Sequence, residues 1–314
     1  MTESADRRDF LKVIVGGAAA TASLGLLAPA LARAATATPP LLDAVKLSDT
    51  LSLFTGFGGN VVAAHDGEDL ALVDGGLPER SAELLKVVEK EMGSRRVRTL
   101  FNTHWHPEQT GSNERLGKDG AKIIAHENTK LWLGYANAVP GQDRTYGPLS
   151  PKARPTDTFY YGSANTTVGA EPVEYGYLLQ AHTDGDIYVY FRKSNVLVTG
   201  GAVSGAGWPI IDYKTGGWIV GMVDGLKTLM GIANDDTRIV PANGPALTRA
   251  DLVSQHTMYA TISERLQKML RQGLGPDEAI AKAPTAEFDA TWGDPKQFVG
   301  MAFRSLWGHF APDA

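Results

Sequence analysis

The sequence predicts an α+β protein built as a layered sandwich. Short apolar runs of strand length recur along the chain, segments with helical spacing lie between them, and the pattern occupies two halves of comparable size. With 314 residues, 43% hydrophobic and 21% charged, the chain has enough apolar material for a full core. Similarity between the halves is too weak for a repeat. One domain, residues 45–314, is therefore expected after an N-terminal signal.

That signal comes first. Arg7-Arg8-Asp9-Phe10-Leu11-Lys12 is a twin-arginine motif, an uncharged run follows over 13–32, and Ala32-Arg33-Ala34 offers a small-x-small cleavage site. The run is about long enough to cross a bilayer, but its Gly, Ala, Ser and Thr make it only mildly apolar, which favours a cleaved signal over an anchor. Residues 1–34 are accordingly expected to direct export of the folded chain by the twin-arginine route. The product would be periplasmic or secreted, with no stable membrane span after cleavage. Residues 35–44 look like an unstructured linker.

Strands are expected over 60–64 and 70–73, the second closing on Asp74-Gly75-Gly76. Residues 79–92 have helical spacing, with Leu84, Leu85, Val87 and Val88 on one face and Gly93 as the stop. A strand at 97–102 leads into Thr103-His104-Trp105-His106-Pro107-Glu108-Gln109-Thr110-Gly111-Ser112-Asn113, where Ser112 is positioned to cap a short helix. Next come a strand (121–125), a helix (126–135) and a Gly- and Pro-rich stretch (136–156) that reads as a long surface loop. Further strands are expected at 157–161, 171–180, 187–191, 196–199 and 237–240, and helices at 217–231, 249–272 and 295–310.

The balance of 30 basic against 35 acidic residues, a net charge of −5, argues against a general nucleic-acid binder and leaves a small molecule as the expected partner. It says nothing about oligomeric state. There is no cysteine, so neither disulfides nor thiolate ligands contribute, and any metal must be held by His, Asp, Glu or Asn. His104 and His106 stand two apart at a strand end, where their rings can converge, and imidazole is the commonest zinc ligand. A third histidine opens His182-Thr183-Asp184-Gly185-Asp186 just before a strand.

These residues resemble the metallo-β-lactamase superfamily over roughly 50–250. The family's THxHxDH loop is matched by Thr103–Gln109 and its GHTDGD segment by Ala181–Asp186. Its VLFTGD strand end is matched by Val196-Leu197-Val198-Thr199-Gly200-Gly201, its VPGHGP segment by Val240-Pro241-Ala242-Asn243-Gly244-Pro245, and its early strand-Asp-Gly turn by Leu72–Gly76. The resemblance implies a four-layer αβ/βα sandwich and a metallohydrolase. Members typically hold two metals. The three histidines of the first site survive as His104, His106 and His182, while the second site's positions are Glu108, Gln109, Gly201 and Asn243. Gly201 has no side chain, and Gln109 and Asn243 are neutral, poor zinc ligands, so that second site is expected to be empty.

The resemblance therefore implies one zinc, or another divalent metal, on His104, His106 and His182. Such a centre can lower the pKa of a bound water to about 7 and hydrolyse an ester, lactam or similar carbonyl substrate. Glu108 is the candidate catalytic base; metal ligand and solvated loop residue are its other readings. Asp74, Asp184 or Asp186 are candidates to bond the outer ring nitrogens, although Asp184 can also simply cap a turn. A catalytically inactive member that binds a small molecule or partner in the same cleft is the alternative. His126 reads as a helix-start residue, and His65, His256 and His309 default to structure or surface. Gly56-Phe57-Gly58-Gly59 reads as a flexible lip over the site. Trp105, Trp208 and Tyr213 line the pocket in one reading, and Trp105 packs behind the loop in another.

Overall fold

Alternation along the strands sets up the layers. In a computed structural model of the chain, which describes residues 43–93 and 96–310, strands β1 (Asp43–Lys46), β2 (Leu51–Thr55), β3 (Val61–His65) and β4 (Asp69–Val73) form an antiparallel meander. β5 (Arg96–Phe101) and β6 (Lys122–His126) continue the sheet in parallel. The chain then makes a small hairpin of β7 (Asn137–Ala138) and β8 (Thr145–Tyr146) before β9 (Asp157–Phe159) joins the far edge beside β6. The second sheet runs in the order β10 (Ser163–Val168), β11 (Glu171–Tyr177), β12 (Ile187–Phe191), β13 (Val196–Gly200) and β14 (Arg238–Pro241), antiparallel except for the final pair.

The period of two sends Val62 and Ala64 of β3 to one face and Val61 and Ala63 to the other. Val62, Ala64, Val73, Phe101 and Ile124 meet Val173, Ile187, Val189, Phe191, Val196 and Val198 of the second sheet in a core between the sheets. The outer face of the first sheet, with Val61, Ala63, Leu72 and Leu100, packs on Leu84 and Val88 of α1 (Ser81–Met92) and on Leu116. Tyr188, Leu197 and Ile239 on the outer face of the second sheet pack on α5 (Ile219–Ile232), α6 (Arg249–Arg271) and α9 (Lys296–Phe310). The result is helix, sheet, sheet, helix, the expected α+β sandwich. All of it, over the described residues, belongs to one compact unit. Among the described residues no helix is long and apolar enough to cross a membrane.

Several boundaries differ from the sequence reading. Asp43 and Ala44 were expected in the linker but pair with Thr55 and Phe54 as the start of β1, and the twin-arginine segment lies outside the described residues. Ser112 does not cap the following helix α3 (Asn113–Lys118): its hydroxyl donates instead to the Gly75 carbonyl at 2.5 Å, tying the histidine loop to the turn after β4. The helix expected over 126–135 is shorter, α4 (Glu127–Trp132), with His126 as its N-cap accepting from Asn128 N–H. The stretch 136–156 is more than a surface loop, because Val139, Leu149 and Ala153 are buried in a cluster around the fully buried Trp105. Strand β10 and the short helices α7 (Pro276–Ala281) and α8 (Asp289–Trp292) carry no clear apolar period and went unread.

Candidate metal centre

β5 ends at Phe101, and Asn102–His106 leave the sheet edge before α2 (Pro107–Thr110) begins. The turn is tight because it wraps a buried amide: Asn102 Nδ2 donates to the Gln109 carbonyl (3.2 Å) and to Asn113 Oδ1 (3.1 Å). Pro107 suits the first helical position, where its missing N–H costs nothing. Trp105 turns away from the cavity and donates to Thr215 Oγ1 at 3.0 Å, so it packs behind the loop. His104 and His106 flank it and face the cavity. His182 arrives from the segment before β12, and Ile187 N–H bonded to the Thr103 carbonyl (2.8 Å) clips the two segments together.

The three rings form a mutually edge-on triangle with centroids 4.6–4.8 Å apart and each ring close to perpendicular to the others. One nitrogen from each lies within 4.8 Å of the other two. The outer nitrogens are all committed to oxygen acceptors. His106 Nε2 bonds Asp212 Oδ2 at 3.0 Å, His182 Nδ1 bonds the Ile210 carbonyl at 2.6 Å, and His104 Nδ1 bonds Thr103 Oγ1 at 3.1 Å. The Thr103 hydroxyl spends its proton on Asp74 Oδ2 (2.8 Å), which leaves its lone pair to accept from His104. With every N–H pointing outward, His104 Nε2, His106 Nδ1 and His182 Nε2 carry lone pairs. The last two face each other across 3.2 Å.

Two ring nitrogens that close are bridged either by one shared proton, as a hydrogen bond, or by a cation. Zinc ligands at bond lengths of about 2.0–2.1 Å in a tetrahedral shell stand roughly 3.3 Å apart, so the donor set fits a divalent metal. Burial also holds two of the three rings, His104 and His182, in the neutral form. Burial and the neighbouring His106 push His182 down to about 3, and burial with the other two rings holds His104 well below the usual imidazole range. Burial works to raise the Asp212 carboxyl, but the bond and charge of His106, the Thr215 hydroxyl and the charge of His182 together outweigh it and leave Asp212 below its ordinary value. Neutral imidazoles are the form a metal requires.

The carboxylates that hold the rings are not those expected from sequence. Asp74 acts on His104 only through Thr103, whose N–H it also accepts at 2.8 Å, and burial pushes its carboxyl up to about 8. Asp186 accepts from Thr183 N–H (2.8 Å) and Oγ1 (3.1 Å) and stands 4.0 Å from His104 Nδ1, beyond hydrogen-bond reach. Asp184 neither touches a ring nor merely caps a turn: its Oδ1 accepts from Trp132 Nε1 at 2.7 Å. Asp212 and the Ile210 carbonyl are the partners that sequence reasoning missed. Asp212 lies 106 positions from His106 with no spacing to flag it.

Glu108, Gln109, Gly201 and Asn243 line the same cavity as the histidines, a space of about 250 Å³. Glu108 Oε1 accepts from Gln142 Nε2 at 3.1 Å, and Gln142 belongs to the β7–β8 hairpin connection. A Cβ at Gly201 would lie 2.2–2.6 Å from three atoms of the His182 ring. His182 thus rests directly on the bare backbone there. Trp208 lines the cavity too, whereas Tyr213 packs into the helical core behind it. Phe57 of the glycine-rich segment is fully buried, and only Gly58 of that segment reaches the cavity, so the expected flexible lip is an anchored turn.

A two-sheet sandwich with three buried, outward-anchored histidines at the strand ends defines a metal-binding hydrolase architecture. The chain belongs to the metallo-beta-lactamase superfamily, whose family model matches residues 54–252. It is 30% identical over 122 residues to a hydroxyacylglutathione hydrolase from Hyphomonas neptunium (strain ATCC 15444), a match covering 38% of this chain and 40% of that relative's length. A metallo-beta-lactamase from Pontibacter korlensis superposes with a TM-score of 0.56 at 18% identity, covering 70% of this chain and 99% of that one. The stereoselective inverting sec-alkylsulfatase Pisa1 from Pseudomonas sp. gives a TM-score of 0.69 at 14% identity, covering 87% of this chain and 51% of that one. At these identities the structural likenesses speak to the fold.

Proposed function

We propose that the chain is a hydrolase of ester, lactam or similar carbonyl substrates that works with one zinc held by His104, His106 and His182. The observation that carries this reading is the outward commitment of all three ring N–H groups, which leaves His106 Nδ1 and His182 Nε2 facing each other at 3.2 Å. Zinc bound there supplies Lewis-acid chemistry toward a carbonyl oxygen and toward water. Asp212, Ile210 and Thr103 fix the ring tautomers, so no histidine needs to move a proton during the reaction. Glu108, on the same wall and steadied by Gln142, is the group that accepts a proton from the attacking water. One metal is proposed because Gly201 and the neutral Gln109 and Asn243 offer a second ion almost nothing.

That loss, together with the His182 ring resting on Gly201, also favours a second reading, a family member that binds a ligand in the cleft without turning it over. Elemental analysis of the folded chain should give about one zinc per molecule, and none would sink the metal reading. With metal present, a panel of esters, lactams and thioesters separates the two functions. Hydrolysis abolished by His106→Ala supports the enzyme, and identical rates in both proteins leave only the binding role.

A further inference from the structure

Gln109 is only 3% exposed, yet its side-chain amide has no hydrogen-bond partner among the described residues. It lines the cavity, with Nε2 lying against the backbone of Gly59. The amide opens on the cavity, so its two donors and its acceptor are available to whatever occupies that space, water or substrate. Val203, Trp208, Pro209 and Ile210 form an apolar part of the lining, and the polar part beside Gln109 is largely uncharged. Asn243 and Gln142 bring two more neutral amides to the same space, Glu108 adds a carboxylate, and among the described residues no Lys or Arg lines the cavity.

We propose that this wall is a substrate-recognition surface on which Gln109 pairs with an uncharged group that both donates and accepts, such as a primary amide, a lactam edge or a hydroxyl on the acyl part of the substrate. The inference rests on the reading of the three-histidine centre as the place where the carbonyl reacts. A carboxylate beside Gln109 would be repelled by the Glu108 carboxylate, and on that wall only neutral amide N–H groups, no Lys or Arg among the described residues, would offset the repulsion. Apolar groups would leave the Gln109 amide unpaired.

Matched probes test this directly. Thiophenyl esters of five- and six-carbon acyl chains ending in a primary amide, a carboxylate or an isopropyl group differ only at the position in question, and the corresponding anilides bind without reacting. In isothermal titration with the zinc-loaded protein, the amide-ended anilide should bind at least about tenfold more tightly than either of the others. Gln109→Met, close in size, should remove that preference and leave the isopropyl-ended anilide unchanged. If the variant does not fold, Gln142→Met, at a less buried position, should narrow the preference in the same direction. Equal or tighter binding of the carboxylate-ended anilide overturns the proposal, as does failure of every anilide to bind. The thioesters separate the two ideas. Amide-selective binding without cleavage keeps the recognition surface and removes the hydrolase reading, and cleavage indifferent to the end group does the reverse.

Discussion

Asp212 and Gly201 show how two single positions set the metal centre. Asp212 fixes His106 from behind, so Asp212→Ala should let the ring rotate and change tautomer, with a loss of zinc affinity of about 10–100-fold. Chelator competition at equal loading measures it, and an unchanged affinity would remove Asp212 from the centre. Gly201→Ala asks the opposite question, whether anything fits beside His182. The added methyl needs space that the ring occupies, so His182 must swing off its bond to Ile210 and the zinc content should fall below one per chain. A variant that retains full zinc would show that the ring gives way freely. The triple change Gln109→His, Gly201→Asp and Asn243→His meets the same collision, and should gain a second metal only as far as His182 yields. The three ring positions were legible in the sequence because their motifs sit at strand ends. Asp212 and Ile210 were not, since they come from a segment that only the fold brings near, 106 and 28 positions from their partners.

Most elements were legible where burial imposes a period, although β2, alternating at Leu51 and Leu53, was not expected. β12 alternates Ile187, Val189 and Phe191 inward with Tyr188 outward, and the helix over 249–272 was read almost to its ends. β1 is exposed along its whole length and β10 is polar and half-exposed, so neither leaves an apolar pattern to read. α4 carries a pH-dependent start. His126 Nε2–H donates to the Tyr160 carbonyl (2.9 Å), its Nδ1 accepts the Asn128 N–H (3.1 Å), and the ring stacks on Tyr177 at 4.0 Å. Burial lowers its pKa from the ordinary 6.5, with the Tyr160 bond and Glu127 working against that shift. Protonation would put a hydrogen where Asn128 already donates. The unfolded chain therefore binds the proton more readily, and stability falls as pH drops below about 6.5, by up to roughly 1.4 kcal/mol per pH unit from this one group. His126→Asn keeps an N-cap acceptor but cannot titrate. Urea unfolding of both zinc-loaded proteins at pH 7.5 and 5.5 should show a smaller loss in the variant, and equal losses would contradict the assignment.

At the scale of the whole molecule, the centre exists only once the fold is complete. His104 and His106 come from the first sheet and His182 from the segment entering the second, and Ile187 N–H bonded to the Thr103 carbonyl joins them across the sandwich. An unfolded chain presents these ligands some 76 positions apart, as His106 and His182, with no preformed shell, so tight metal binding is coupled to folding. A route that carries folded, loaded protein suits such a centre. We therefore propose that the Arg7-Arg8 motif directs export after zinc has been taken up in the cytoplasm. Intact-mass analysis of the periplasmic fraction should find a product beginning at Ala35, after the Ala32-Arg33-Ala34 site. Replacing both arginines by lysine should hold the uncleaved chain in the cytoplasm, folded and carrying the same zinc content. Export of the double-lysine chain at the wild-type level would refute the route. A cytoplasmic pool without zinc, beside a loaded periplasmic one, would refute the order of folding, loading and export.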